Sequence, residues 1–155
     1  MPLGRVRCVF AVSRRKFEAL NRKRADPSAP WTAREVLALP LITHPSASKT
    51  FRVAADFLQR TEGLALESAI EVHQLDIGMN LAEKELGAAL TFADLMPHFP
   101  DLAALPADFA LPELEVVLIA RLKTLSEPLE RAMTDIAERF QIERTRGRRG
   151  GAVPT

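Results

Sequence analysis

The chain has 155 residues, 47% of them hydrophobic, a size and composition typical of a single globular domain with a sizeable core. No stretch approaches the ~18 consecutive apolar residues of a membrane span, and the N-terminus lacks the residue order of a secretory signal. We therefore expect a cytoplasmic protein without membrane contacts. The net charge of +1 combines an acidic middle with a basic head (1–24, eight Arg or Lys and one acid) and a basic tail (141–155, four Arg and one Glu).

The N-terminal third begins with the β-branched and apolar stretch Arg5–Val12, which predicts a strand. A short helix is predicted over Phe17–Arg24 and a second helix over Trp31–Leu39. The second helix has the stronger signal, because Thr32 is followed three residues later by Glu35, the spacing of a capping box.

After Pro40, Leu41–Thr43 is predicted as a short buried strand, and a Ser-rich turn follows it. Apolar residues then recur at helical spacing over Lys49–Glu62, and Gly63 is placed to end that helix. The order of strand, turn and helix in this segment is typical of a parallel α/β unit.

A second unit of this kind follows. Strands are predicted at Ala69–His73 and Ala88–Phe92, on either side of a helix over Leu75–Leu86 that Gly87 ends. The inward face of this helix is predicted to consist of Leu75, Met79, Ala82 and Leu86.

The last third begins with an irregular, Pro-rich stretch over Ala93–Pro112, with one short strand near Ala103–Leu105. A strand over Leu114–Leu122 and a helix from Ser126 to about Ile142 complete the pattern. The apolar stripe of that helix is Leu129, Met133, Ile136 and Phe140. Strands that alternate with helices predict an α/β fold, with a mixed, mostly parallel sheet flanked by helices.

Ligands of open α/β sheets lie beyond the carboxyl ends of the strands, where helix N-termini point. Three segments occupy such positions. The first, Thr43–Thr50, offers the hydroxyls of Ser46 and Ser48 and the free N–H groups of a helix start, which suit an anion or a carboxylate. The alternative is that one of these serines only caps the helix.

The second segment is the turn His73–Asp76. In the third segment Thr91 can hydrogen-bond a ligand and Phe92 can pack on one, although both also fit an ordinary strand and core.

Enzyme signatures are missing from the sequence. The three histidines are not at metal-ligand spacing, and no nucleophile elbow, phosphate-binding glycine loop or H-E-x-x-H motif occurs. We therefore expect no catalytic activity, no metal and no cofactor. The single Cys8 lies in an apolar run and is interpreted as a buried hydrophobe. No aromatic residue interleaves with Arg14–Arg24, which favours a solvated face over a nucleic-acid site.

Four stretches, in this order and spacing, resemble the effector-binding domain of LysR-type transcriptional regulators. They are PLGRVRCVFAVS, TAREVLALPLITHPSASKTFRVAADFLQRTEG, AIEVHQLDIGMNLAEKELGAALTFADL and LEVVLIARLKTLSEPLERAMTDIAERF. The resemblance covers about residues 2–142. It implies a fold like that of the type 2 periplasmic binding proteins, in which two lobes are joined by crossover strands and a small effector lies between them.

The resemblance also assigns parts of this chain. The second lobe would span about 13–113, the crossover strands about 5–12 and 114–122, and the last helix about 126–142, with a disordered basic tail at 143–155. Effector-facing residues carried over from the family are Thr43, Ser46, Ser48, Gln74, Thr91 and Phe92. The family further implies a homo-oligomer and DNA binding through a helix-turn-helix.

The chain also departs from the family pattern. No helix-turn-helix precedes Arg5, and most of the first lobe has no counterpart. After the first crossover strand the family usually has the sequence His-Pro-Leu, where this chain has Arg14–Phe17. We expect the chain to form one half of an effector cleft. The hypotheses are a truncated sensing domain or, from another class, an interaction module that associates with itself or with a full-length regulator.

Overall fold

The computed structural model describes residues 2–117, 127–128 and 131–139. The strands are β1 Pro2–Ser13, β2 Leu41–Thr43, β3 Ile70–Glu71, β4 Ala88–Phe92, β5 Leu102–Ala104 and β6 Glu113–Val117. The α-helices are α1 Arg14–Asn21, α2 Ala33–Leu37, α3 Lys49–Glu62 and α4 Leu75–Glu83, and a 3-10 helix covers Ala93–His98. Residues 127–128 and 131–139 are also helical.

The chain divides into two compact units, residues 7–113 and residues 1–6 with 114–155. The first unit contains a sheet in the order β3-β2-β4-β1-β5. Strand β2 is parallel to β3 and β4, whereas β1 is antiparallel to both β4 and β5. Four of these five strands therefore run in the same direction, which confirms the predicted mixed sheet. In the second unit β6 pairs with β1.

Helix α4 packs against β2 and β4 and covers one face of the sheet. Its buried residues Met79 and Ala82 join Ile42, Ala89 and Leu102 in one apolar cluster. Since paired residues of a ladder point to the same face, the pairing of Ile42 with Ala89 places both side chains under α4. This face is the core that fixes the carboxyl ends of β2 and β4 side by side.

Helix α3 has the predicted bounds, because local signals determine both of its ends. The hydroxyl of Ser48 accepts a hydrogen bond from the N–H of Phe51 at 3.1 Å, and Gly63 adopts a left-handed φ of 65°. The capping box of α2 is likewise present, since Thr32 and Glu35 bond each other's backbone N–H.

The predicted helix over Phe17–Arg24 is shifted in the structure, where α1 covers Arg14–Asn21. The cause is Ser13, whose hydroxyl accepts a hydrogen bond from the N–H of Lys16 at 3.0 Å and so begins the helix earlier. The 3-10 helix over Ala93–His98 was not predicted, since that stretch was interpreted as irregular.

The predicted end of the fourth helix was also wrong. Helix α4 ends at Glu83, Glu85 takes the left-handed φ of 63°, and Leu86 is exposed rather than inward. Gly87 has another role, because a Cβ there would lie 2.4 Å from the carbonyl oxygen of Pro40. That carbonyl accepts a hydrogen bond from the N–H of Ala88 at 2.8 Å, where β2 and β4 begin to pair.

The predicted strand over Leu114–Leu122 is described only to Val117, where β6 ends. Of the stripe predicted for the last helix, Leu129 and Phe140 lie outside the described residues. Ile136 is 49% exposed.

Candidate functional site

Three parallel strands end at the same edge of the sheet, and the predicted site residues follow them. Thr43 ends β2, Phe92 ends β4, and Gln74, in the turn that follows β3, is the N-cap of α4. Because β2 lies between β3 and β4, the three segments are neighbours at this edge, which we call the carboxyl edge. Backbone topology alone thus brings together the segments that contain the six predicted residues.

The serines in the first segment differ in their roles. Ser48 is committed to capping α3, which is the structural alternative considered for it, while Ser46 is exposed in the preceding turn. Thr43 is buried, and its hydroxyl donates a hydrogen bond to the carbonyl of His44 at 2.9 Å. Ser46 is therefore the hydroxyl of this segment that faces solvent.

The residues of the other two segments are less constrained by hydrogen bonds. Gln74 is exposed and makes no side-chain capping bond to α4. Thr91 is completely buried, and its Oγ1 has no hydrogen-bond partner. Phe92 is half-buried at the end of β4. The polar groups of Gln74 and Thr91 thus make none of the bonds that would assign them a purely structural role.

The ladder places these side chains on two faces of the sheet. Leu41 pairs with Ala88 and Ile42 with Ala89, so alternation sets Thr43 and Phe92 on one face and Thr91 on the face covered by α4. A ligand at the carboxyl edge would therefore approach Thr43 and Phe92 on one face of the sheet and Thr91 on the other, from beyond the ends of the strands.

His44 is a candidate that the sequence interpretation missed. Its Nε2 is buried without a hydrogen-bond partner, and burial lowers the pKa of its imidazole, with a smaller contribution from the nearby charge of His73. The imidazole is therefore neutral near pH 7. The signal was its position directly after β2, within the first candidate segment, where the sequence interpretation singled out only the hydroxyl residues.

Acidic residues outnumber basic ones at the carboxyl edge. Residues 70–78 and 88–98 include neither Lys nor Arg and contain Glu71, Asp76 and Asp94, whereas the first segment contains Lys49 at the start of α3. Among the described residues no group of three or more His, Cys, Asp or Glu could hold a metal ion. This edge therefore offers a ligand hydrogen-bonding groups and one exposed lysine, Lys49.

A pocket of about 400 Å³ lies elsewhere in the first unit. It is lined by β1 residues Arg7–Phe10, by Val36 and by the segment Ala104–Leu111, and none of the six predicted residues contributes to it. Burial raises the pKa of the Cys8 thiol in its wall to about 11. This thiol is therefore protonated at neutral pH and unsuited to nucleophilic chemistry.

Several basic residues of the head (1–24) form contacts within the chain. The guanidinium of Arg24 lies 4.9 Å from the centre of the Trp31 ring and pairs with Glu35 at 3.1 Å. Lys16 donates to the carbonyl of Glu85, and Arg14 donates to that of Pro100. These contacts are structural and leave fewer of the basic groups free for a polyanion. In the described residues no helix is long and apolar enough to cross a membrane.

Solved structures identify the fold. The effector domain of the transcriptional regulator AmpR of Pseudomonas aeruginosa superposes with a TM-score of 0.65 at 14% identity, covering 96% of this chain and 67% of that one. The regulatory domain of CrgA, a LysR-type regulator from Neisseria meningitidis, gives a TM-score of 0.58 at 14% identity and covers 90% and 67%. The effector-binding domain of QuiR, in complex with shikimate, gives 0.60 at 14% identity and covers 90% and 63%.

The chain therefore has the fold of the effector-binding domains of LysR-type transcriptional regulators. It spans 48% of the OxyR chain of Corynebacterium glutamicum, 67% of the AmpR domain and 37% of the DarR chain of Vibrio fischeri. No protein-family model and no curated protein matches the sequence.

Proposed function

We propose that this chain is an effector-sensing lobe of a cytoplasmic LysR-type transcriptional regulator and has no catalytic role. The observation that carries the proposal is the carboxyl edge, where Ser46, Gln74 and Thr91 lie at or beyond the ends of three neighbouring strands. The QuiR domain with the same fold is in complex with shikimate, and the regulatory domain of CcmR from Synechocystis is in complex with 2-PG. Small hydroxylated acids are accordingly the first ligands to test.

In this proposal five of the six predicted residues have distinct roles. Ser46 and Gln74 hydrogen-bond polar groups of the effector from the rim, and Phe92 packs on its apolar part. Thr43 and Ser48 hold the first turn in shape through their own hydrogen bonds. DNA recognition would belong to a helix-turn-helix outside this chain.

The test is a thermal-shift screen of the full chain against small carboxylates and hydroxylated acids, shikimate among them. A ligand that binds the folded state raises the melting temperature by mass action. Ser46→Ala and Gln74→Ala should reduce the shift without lowering the melting temperature of the free protein, since neither side chain makes a structural bond. The matched control is Gln59→Ala on the exposed surface of α3. Equal shifts in all variants would remove the carboxyl edge from the site.

A second candidate function, an interaction module, is supported by a different observation. Val117 at the end of β6 and Ile136 in the last helix are 47% and 49% exposed. Exposed apolar side chains at strand ends promote association. We propose that the chain forms homo-oligomers through these residues, and sedimentation at micromolar concentration tests it. Val117→Thr should shift the equilibrium toward monomer; a wild-type chain that is already a stable monomer contradicts the proposal.

A further inference from the structure

The pocket of about 400 Å³ between β1 and the segment Ala104–Leu111 has no part in the proposed sensing function. Its volume lies within the range of small-molecule sites, about 300–1,000 Å³, and a cavity of about 150 Å³ is already large enough for benzene. All of its lining residues belong to the first compact unit, residues 7–113. The whole pocket is therefore contained in one compact part of the chain.

The pocket forms where the chain leaves the edge of β1 after β5. The N–H of Leu105 still donates to the carbonyl of Phe10 at 2.8 Å. The chain then pairs with Trp31 instead, because the carbonyl of Pro106 accepts from the N–H of Trp31 at 2.7 Å. The N–H of Asp108 in turn donates to the carbonyl of Trp31 at 2.9 Å. These bonds hold the outer wall of the pocket on Trp31 rather than on β1.

Trp31 is a fixed support for this wall. It is buried, its indole N–H donates to Oδ1 of Asn21 at 3.2 Å, and the guanidinium of Arg24 lies over its ring. A wall supported in this way does not collapse onto β1. The pocket is therefore preformed, which lowers the cost of binding because a ligand does not have to order its own site.

The buried lining of the pocket is apolar. It consists of Cys8, Phe10, Val36, Leu105 and Leu111, and the half-buried ring of Phe109 lies beside them. In the part of the chain that the structure describes, the N–H groups of Phe109 and Ala110 donate no hydrogen bond. The pocket thus combines an apolar floor with backbone donors that a carbonyl oxygen of a ligand can use.

The charged residues of the lining are Arg7 and Asp108, which are both exposed and opposite in sign. Within the described residues neither of them forms an ion pair. Because their charges balance, an ionised ligand gains little net attraction, although it loses hydration against the apolar floor. An uncharged ligand avoids that loss, so the pocket favours it over an acid of the same shape.

We propose that this pocket is a second ligand site, which binds a small uncharged molecule with an apolar, ring-sized body and a carbonyl group, as in an aromatic amide. The apolar body would lie on Phe10, Leu105 and Leu111. The carbonyl oxygen would accept a hydrogen bond from the N–H of Phe109 or Ala110. This ligand class differs from the acids to be tested at the carboxyl edge, so the inference goes beyond the sensing function.

The test compares benzamide with benzoate, which have the same shape and differ in charge. Each is titrated into the full chain while NMR follows the backbone amides of residues 7–10 and 107–111. Benzamide should shift these amides in a saturable manner, and benzoate should bind here about tenfold more weakly or less. Equal affinities of the two compounds, or benzamide shifts that do not saturate, would overturn the proposal.

Asp108→Asn tests the charge balance at an exposed position. Since Arg7 then lacks an opposing charge, benzoate should bind the pocket about two- to fivefold more tightly, and benzamide binding should not change. The matched control is Asp56→Asn on the exposed surface of α3, which makes the same change in net charge and should have no effect at the pocket. An equal gain in both variants, or no gain in either, would overturn the selection by charge.

Phe109→Ala tests the apolar contact. It should weaken benzamide binding about two- to tenfold, the range expected for one aromatic contact. Phe57→Ala is the matched control, because Phe57 is also half-buried but lies in α3 and does not line the pocket. Circular dichroism checks that both variants are folded. Unchanged benzamide binding in a folded Phe109→Ala variant would overturn the assignment of the pocket.

The responding amides distinguish this inference from the sensing function. A benzamide response at residues 7–10 and 107–111 supports the second site, whatever the acids do at the carboxyl edge. Absence of any benzamide response there would overturn the second site, while the thermal-shift screen would still decide the sensing function independently.

Discussion

Gly87→Ala is predicted to be one of the most damaging single-methyl changes in the chain. The added Cβ would lie 2.4 Å from the carbonyl oxygen of Pro40 and 3.1 Å from Cγ1 of Ile42. The oxygen belongs to the backbone and accepts the 2.8 Å hydrogen bond from Ala88 that begins the pairing of β2 and β4. Relief of the clash must therefore disturb this bond or move a strand.

The expected cost combines overpacking, about 1–3 kcal/mol, with the weakening of a buried hydrogen bond, about 1 kcal/mol, giving roughly 2–4 kcal/mol in the free energy of unfolding. With a urea m-value of about 2 kcal/mol/M, the midpoint should fall by about 1–2 M.

Urea unfolding followed by circular dichroism measures this change. The matched control is Gly63→Ala, where the φ of 65° is unfavourable for alanine but no atom lies within 4 Å of the added Cβ. That change should cost only about 1 kcal/mol, the ordinary penalty of a left-handed residue. A Gly87→Ala midpoint equal to or above that of Gly63→Ala would refute the steric argument.

Three further predictions concern local features. Thr32→Ala should lower the free energy of unfolding by about 1 kcal/mol in chemical denaturation, because it removes the capping bond to Glu35, and Thr32→Ser should recover most of it. The lowered pKa of His44 means that the unfolded chain binds the proton more readily, so stability should fall as the pH drops through 6.5 and the unfolded state takes up that proton. His44→Gln should flatten this slope, and an unchanged slope would show that other groups cause it. The Cys8 thiol, with its pKa raised to about 11, should react with iodoacetamide at pH 8 far more slowly in the folded chain than in urea; equal rates would contradict its burial.

Local signals made some elements predictable and left others open. Helix α3 was predicted at both ends because Ser48 and Gly63 act on their own neighbours in sequence. The end of α4 was not, since Gly87 is required by Pro40, a contact between strands that no local pattern reveals. The shift of α1 is an intermediate case, because Ser13 is a recognisable N-cap that directly follows the predicted strand Arg5–Val12 and was not interpreted as a helix start.

The candidate site, too, could be predicted from the sequence only in part. The positions of Thr43, Gln74 and Thr91 at or near the ends of neighbouring strands follow from the order of elements, which the sequence reveals. The missing hydrogen-bond partners of His44 and Thr91 depend on burial and on the alignment of β2 with β4, and both are tertiary properties. Sequence patterns could therefore indicate which segments meet, but not which polar atoms remain available to a ligand.

The most direct test of the sensing function is a map of backbone amide shifts in the full chain, recorded with the compound that stabilises it most in the thermal-shift screen. Perturbed amides should concentrate at residues 43–48, 73–76 and 91–94. Perturbations confined to the pocket formed by Arg7–Phe10 and Ala104–Leu111 would contradict the sensing function, because the ligand would then bind away from the carboxyl ends of the parallel strands.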